Sequence, residues 1–231
     1  FAEEGLSWRW DVATYLQLLR ISGGRERMRA FCREGGHVAP EEQIERLQRR
    51  KQVHYEQLVR SGAIGLRPGV RRLIGEACAA GLQQAIVTTS GRASVQALAE
   101  GAASGLAEAF AFWVCGEDVQ HKKPHPEGYL QALDRLGLQP DAVLAIEDSR
   151  NGLQAARGAG LNCLVTLSDS SRWEAGANGH EGFEAALAVL DSLGEPQRPL
   201  RQHRGPDSPA DQRSEEHTSE LQSHSDLVCR L

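Results

Sequence analysis

The feature that most narrows the fold is an alternation in the middle of the chain. Short apolar runs at residues 85–87 (Ala-Ile-Val), 110–114, 143–146 (Val-Leu-Ala-Ile) and 162–166 are separated by segments of helical character. Runs this short and this apolar are strands buried on both faces. Strands separated by helices rather than tight turns pair in parallel. Between them the sequence predicts helices over 70–80, stopped by Gly81, over 93–106, over 126–136 with Gly137 as its stop, and over 149–157. The expectation is an α/β fold, a parallel sheet covered on both faces.

The first 60 residues read differently. Val12, Tyr15, Leu16 and Leu19 recur at the spacing of one buried helix face over 11–21, and Gly23-Gly24 breaks that helix. A short helix is predicted over 25–32. Pro40-Glu41-Glu42 opens another that runs to about residue 60, because proline fits a first turn and acidic residues complement the helix dipole there. Its apolar stripe is Ile44, Leu47, Tyr55 and Leu58, with Lys51 on the same stripe. Residues 1–64 are therefore expected to form a helical accessory domain and 65–194 an α/β core. Residues 195–212, rich in Pro, Arg, Gln and Asp, are expected to be a solvated polar tail.

The last 19 residues, 213–231, resemble the conceptual translation of a sequencing-library adapter and are set apart as a non-native segment. The whole chain has 231 residues, with 26 Lys+Arg against 31 Asp+Glu; without the segment the balance is 24 against 27, a net charge of −3. Mild acidity argues against a nucleic-acid or anionic-membrane partner. No apolar run approaches the ~20 residues of a membrane helix, so a soluble protein is expected. The remaining cysteines, Cys32, Cys78, Cys115 and Cys163, lack zinc-ligand spacing and are expected to be reduced. The chain opens at Phe1 without Met, so a leading segment is expected to be missing. A cytoplasmic location is expected, or a plastid stroma in a eukaryote, with the oligomeric state open and a monomer reasonable.

Ligands of open parallel sheets bind beyond the carboxyl ends of the strands. The first strand delivers Thr88, Thr89, Ser90 and Gly91, which can cradle a phosphate with hydroxyls and helix N-terminal amides or simply cap the next helix. The second delivers His121-Lys-Lys-Pro-His125, in which Lys123 precedes a proline that favours extended backbone, though a loop lysine is often only solvated. The third ends in Glu147-Asp148, hard carboxylates suited to Mg2+, unless Asp148 is the N-cap of the following helix. Together an anion cradle, a cation and a metal ligand favour phosphoryl chemistry.

In these residues the chain resembles the haloacid-dehalogenase superfamily. Thr88 matches its Ser/Thr motif, Lys123 its lysine motif, and Glu147-Asp148-Ser149 with Gly152 its acidic motif. Trp10-Asp-Val12, residues 15–19, Gly23-Gly-Arg-Glu-Arg27, Leu66-Arg-Pro-Gly-Val70 and Asp191-Ser-Leu-Gly-Glu-Pro196 are similar to the CbbY-type sugar phosphatases. The resemblance implies a Rossmann-like core under an α-helical cap and a Mg2+-dependent phosphatase of a small sugar phosphate or bisphosphate, such as xylulose-1,5-bisphosphate. A β-phosphoglucomutase-like isomerase and a non-catalytic phosphate-binding module are the alternatives. By resemblance Thr88 and Lys123 are catalytic, and Asp148, with Glu147 directly or through a neighbour, holds Mg2+. Gly23, Gly24, Arg25, Glu26, Arg27, Gln48, Arg49, Arg50 and Lys51 in the cap, and Thr88, Thr89, Ser90, Gly91, Arg92, Ala93 and Ser94 in the core, contact substrate. The family's Asp-x-Asp motif, which supplies the nucleophile that forms an aspartyl-phosphate and the acid/base, has no counterpart in residues 1–231. The core sheet is accordingly expected to lack its first strand, and the chain as it stands to be inactive.

Overall fold

The computed structural model describes residues 1–101, 103–197 and 199–205, and the backbone of 226–229. The cap holds α1 (Val12–Leu18), α2 (Gly24–Gly35) and α3 (Glu41–Arg60). The core runs α4 (Val70–Ala79), β1 (Gln83–Val87), α5 (Arg92–Glu100), β2 (Phe112–Val114), α6 (Glu127–Leu136), β3 (Val143–Glu147), α7 (Arg150–Gly158), β4 (Asn162–Thr166), α8 (Asp169–Glu174), β5 (Ala188–Leu190), β6 (Gln202–Arg204) and β7 (Asp226–Cys229). The sheet order is β2-β1-β7-β3-β4-β5-β6. All neighbours are parallel except the edge pair β5 and β6.

The double-faced burial that the apolar runs demand is met by alternation. Ala85, Val87, Val143 and Ala145 pack with Tyr129, Leu133, Leu153 and Phe183 on one side of the sheet. Ile86, Leu144 and Ile146 pack with Val70, Ile74, Val95 and Phe110 on the other. The cap has its own core of Trp8, Met28, Cys32, Ile44 and Leu47, flanked by Phe1, Trp10 and Phe31. Edge-on ring contacts, such as Phe1 to Trp8 at 5.5 Å and Trp8 to Phe31 at 5.6 Å, knit it together.

Three readings of the sequence are corrected. The helix expected over 11–21 is only seven residues long and buries Leu18, while Val12 is 76% exposed and Tyr15 half-exposed. So short a helix docks by its last turn and needs no continuous stripe. In α3 it is Val59, not Leu58, that is buried with Ile44 and Leu47. The helix expected over 93–106 stops at Glu100: the backbone leaves the helical conformation at Gly101, which packs so close to the cap that a Cβ there would stand 2.7 Å from Val59 Cγ1.

The expected gap in the sheet is also not present. β7, from the segment set apart as non-native, lies between β1 and β3 in parallel register, with Ile86 and Ile146 both opposite Cys229. An empty place between two inner strands leaves two rows of unmet backbone groups, and any extended segment that reaches it satisfies them. Likewise β6, inside the segment read as a polar tail, closes the sheet edge against β5. No helix among the described residues is long and apolar enough to cross a membrane.

Candidate active site at the carboxyl edge of the sheet

Thr88 extends the β1 ladder, its N–H donating to Val114 O at 2.9 Å, and is 8% exposed. Its Oγ1 accepts from Ser90 N at 3.1 Å. The N-cap of α5 is Gly91, so neither Thr89 nor Ser90 caps the helix. The first amide of α5, Arg92 N, donates to both oxygens of Glu117 at 3.0 and 3.1 Å. The Arg92 guanidinium is turned to Asp118 at 2.6 Å, Ala93 is exposed, and Ser94 Oγ donates to Gln52 of the cap at 2.8 Å. Of residues 88–94, Thr88 is the one buried at the strand end, and it shares a small crevice with Lys123.

Lys123 is 6% exposed, and its Nζ donates to Val87 O at 2.7 Å. It forms an ion pair with Glu147 Oε1, an oxygen that also accepts from the Tyr129 hydroxyl. The ammonium lies 4.7 Å from the centre of the Tyr129 ring. Glu147 is 1% exposed, so the two charges are held in the core, where each is tolerable only because the other is present. Room for the carboxylate comes from Gly152 in the first turn of α7: a Cβ there would stand 1.8 Å from Glu147 Oε2. Burial, with the Glu147 charge adding to it, pushes the Cys163 thiol far up.

Asp148, half-buried, sits where β3 ends. The helix that follows is capped by Ser149, whose side chain accepts from Gly152 N at 3.1 Å, so Asp148 is not its N-cap. Four residues that sequence reasoning passed over belong to the surroundings. Tyr129 reads as one more apolar residue of α6, yet its hydroxyl fixes Glu147. Arg67, in the linker between cap and core, donates to Thr166 O and Oγ1 at 3.1 and 2.9 Å and to Leu167 O at 2.6 Å. Burial pushes its pKa down, and the Asp148 charge opposes that. Lys122 and Asn151 tie the core to the cap. Lys122 Nζ meets Glu26 Oε1 at 2.7 Å, and Asn151 Nδ2 donates to Arg20 O at 2.8 Å and Ser22 Oγ at 3.1 Å. Nothing in a loop lysine or a helical asparagine signals such a reach; the Gly23-Gly24 break beside them was the available clue.

On the cap side, Gly23 and Gly24 leave space that side chains fill. A Cβ on Gly23 would lie 2.0 Å from Glu26 Oε2 and 3.0 Å from Lys122 Nζ, and one on Gly24 would lie 2.2 Å from Gln48 Oε1. Arg27 donates from Nε to Gly23 O at 3.2 Å. Arg27 and Lys51 line a cavity of about 400 Å³ whose walls are mostly apolar, from Phe1, Trp10, Met28 and Leu47, and which Glu3 and Glu4 also border. That volume suits a small metabolite. Burial and the neighbouring Arg27 charge push the Lys51 pKa down. The basic cluster expected from sequence does not converge as a whole. Arg50 borders the cavity but pairs with Glu3 and Glu4 at 3.4 and 3.3 Å, Arg49 reaches Glu45 at 3.8 Å, and Arg25 is exposed.

A parallel sheet with a Thr, a Lys and an acidic pair at three strand ends, beneath a helical cap, defines the class. The chain belongs to the haloacid dehalogenase-like hydrolases, whose family model matches residues 1–160. Within that class it is CbbY-like. It is 41% identical over 209 residues to Protein CbbY of Cupriavidus necator, covering 88% of this chain and 80% of that protein. It is 44% identical over 173 residues to Protein CbbY of Rhodobacter capsulatus, covering 74% and 76%. Among solved structures, a mutant CbbY from Rhodobacter sphaeroides in complex with xylulose-(1,5)bisphosphate superposes with a TM-score of 0.75 at 38% identity, over 84% of both chains.

Proposed function

We propose that the chain forms the cap and core of a phosphatase for a small sugar phosphate or bisphosphate, xylulose-1,5-bisphosphate being the first substrate to try. The observation that carries this reading is the buried Lys123–Glu147–Tyr129 cluster beside Thr88, tied to the cap next to it by Lys122 and Glu26. Thr88 and the amides after it hold the transferring phosphate. Lys123, fixed by Val87 O and Glu147, presents its positive charge to the reacting oxygens at no reorganisation cost. Arg27 and Lys51 take the far end of the substrate, with Gln48 and Glu26 accepting hydrogen bonds from its hydroxyls.

The donors at the end of β3 are hard carboxylate oxygens, a fit for Mg2+. Asp148 would ligate it, while Glu147, engaged with Lys123 and Tyr129, acts by positioning Lys123. When bound, the ion supplies charge neutralisation between carboxylate and phosphate oxygens. The aspartyl-phosphate route that the family resemblance implies needs a carboxylate nucleophile, and no Asp-x-Asp sequence occurs in residues 1–231. We therefore expect these residues alone to release no phosphate. The test is inorganic phosphate release from xylulose-1,5-bisphosphate with Mg2+, by the chain and by a fusion with an Asp-x-Asp-Gly-Thr strand placed ahead of Phe1 and residues 213–231 removed, so that the place β7 holds between β1 and β3 is open to the added strand. Turnover by the fusion, abolished by Lys123→Met, is expected. Turnover that survives Lys123→Met, or that needs no added strand, would overturn the assignment.

A further inference from the structure

We propose that His121, His125 and Glu127 form a binding site for a divalent transition-metal ion of the Zn2+ or Ni2+ class, separate from the carboxylate pair at the end of β3. One nitrogen of each imidazole and one carboxylate oxygen lie within 4.8 Å of one another. The two rings are 4.7 Å apart between centres, and His121 Nδ1 already lies 2.9 Å from Glu127 Oε2. Ligands of a tetrahedral ion at about 2.0–2.1 Å sit only a little farther apart than a hydrogen-bonded pair. A metal ion can therefore replace the proton that links His121 to Glu127, that proton leaving to solvent. Two imidazoles and one carboxylate are a donor set that borderline ions prefer and Mg2+ does not.

The third ligand is the preorganised one. Glu127 is the first residue of α6, and its carboxylate accepts from Gln120 N at 2.7 Å and His121 N at 2.9 Å. These two amides fix the place of the carboxylate before any metal arrives. Both histidines are exposed, which leaves an open path for entry, and His125 Nδ1 accepts from Glu127 N at 3.2 Å, which leaves its Nε2 for the metal. His121 and His125 bracket Lys122 and Lys123 in the short loop that ends at Glu127. A bound ion would clamp that loop between β2 and α6.

Isothermal titration of the whole chain, stripped of metal and kept in millimolar Mg2+, with ZnCl2 and separately NiCl2 above neutral pH, tests the site. One equivalent is expected to bind with micromolar affinity. The affinity should fall at least about tenfold in His121→Ala, His125→Ala or Glu127→Gln, since removing a ligand outweighs the 10–100-fold loss typical of its supporting hydrogen bonds. His180→Ala, at a distant loop, should leave it unchanged. Circular dichroism of each variant checks that it is folded. Absence of a saturable single equivalent, or its survival in the folded His121→Ala/His125→Ala double variant, would overturn the proposal. The result is independent of the phosphatase reading, because no turnover is measured.

Discussion

Gly152→Ala is the sharpest probe of the strand-end cluster. The added methyl would stand 1.8 Å from Glu147 Oε2, more than 1 Å inside the 3.0 Å below which real Cβ contacts are essentially never found. A flexible side chain could swing aside, but Glu147 is held by Lys123 and Tyr129 in a site 1% exposed. Moving it breaks a buried ion pair, at about 3–5 kcal/mol. Alanine in a helix returns about 1 kcal/mol over glycine. The net loss is about 2–4 kcal/mol, or roughly 5–15 °C in melting temperature for a chain of this size. Gly75 in α4 is the internal control, since a Cβ there meets nothing within 4 Å and Gly75→Ala should stabilise by up to about 1 kcal/mol. Urea titration and thermal melting of both variants measure the difference. If Gly152→Ala were as stable as Gly75→Ala, the account of Glu147 as a fixed, buried anchor would be refuted.

Three further outcomes follow from the same contacts. Burial works against the charged Glu26, but the hydrogen bond from Lys122 prevails and lowers its pKa below 4.5. Its contribution to stability is therefore present above the ordinary glutamate range and lost as pH falls through the lowered value, so the stability gap between the parent chain and Glu26→Gln should be constant at neutral pH and close in acid. Arg67→Met should destabilise by roughly 1–3 kcal/mol for each carbonyl left without a donor, at Thr166 and Leu167, as read by urea titration. In a thiol-labelling time course Cys78, which is exposed, should react at once, whereas Cys163, its thiol pushed far up by burial, should react only on unfolding.

The strands that sequence reading found are those buried on both faces: 85–87, 143–146 and the middle of 162–166 are continuous apolar runs because both sides of the sheet are covered. β6 was hidden because its residues are Gln-His-Arg and an edge strand needs no apolar pattern, only a partner for β5. The site was legible to the same degree. Thr88, Lys123 and Glu147 stand where the rule for open sheets places chemistry, and the structure brings them together. What the one-dimensional pattern could not carry is the direction of a side chain: Arg49, Arg50 and Arg92 read as phosphate contacts, and each is turned instead to a nearby carboxylate. Tyr129 shows the reverse, an apparent core residue whose single polar atom fixes the glutamate.

The place that β7 fills has a consequence for any second strand offered to the sheet. β1 and β3 both pair with β7 in parallel register, so there is one place between them and not two. A further extended segment of the same chain would compete for that place rather than widen the sheet, and the segment displaced would carry an unpaired edge of the kind that recruits other chains.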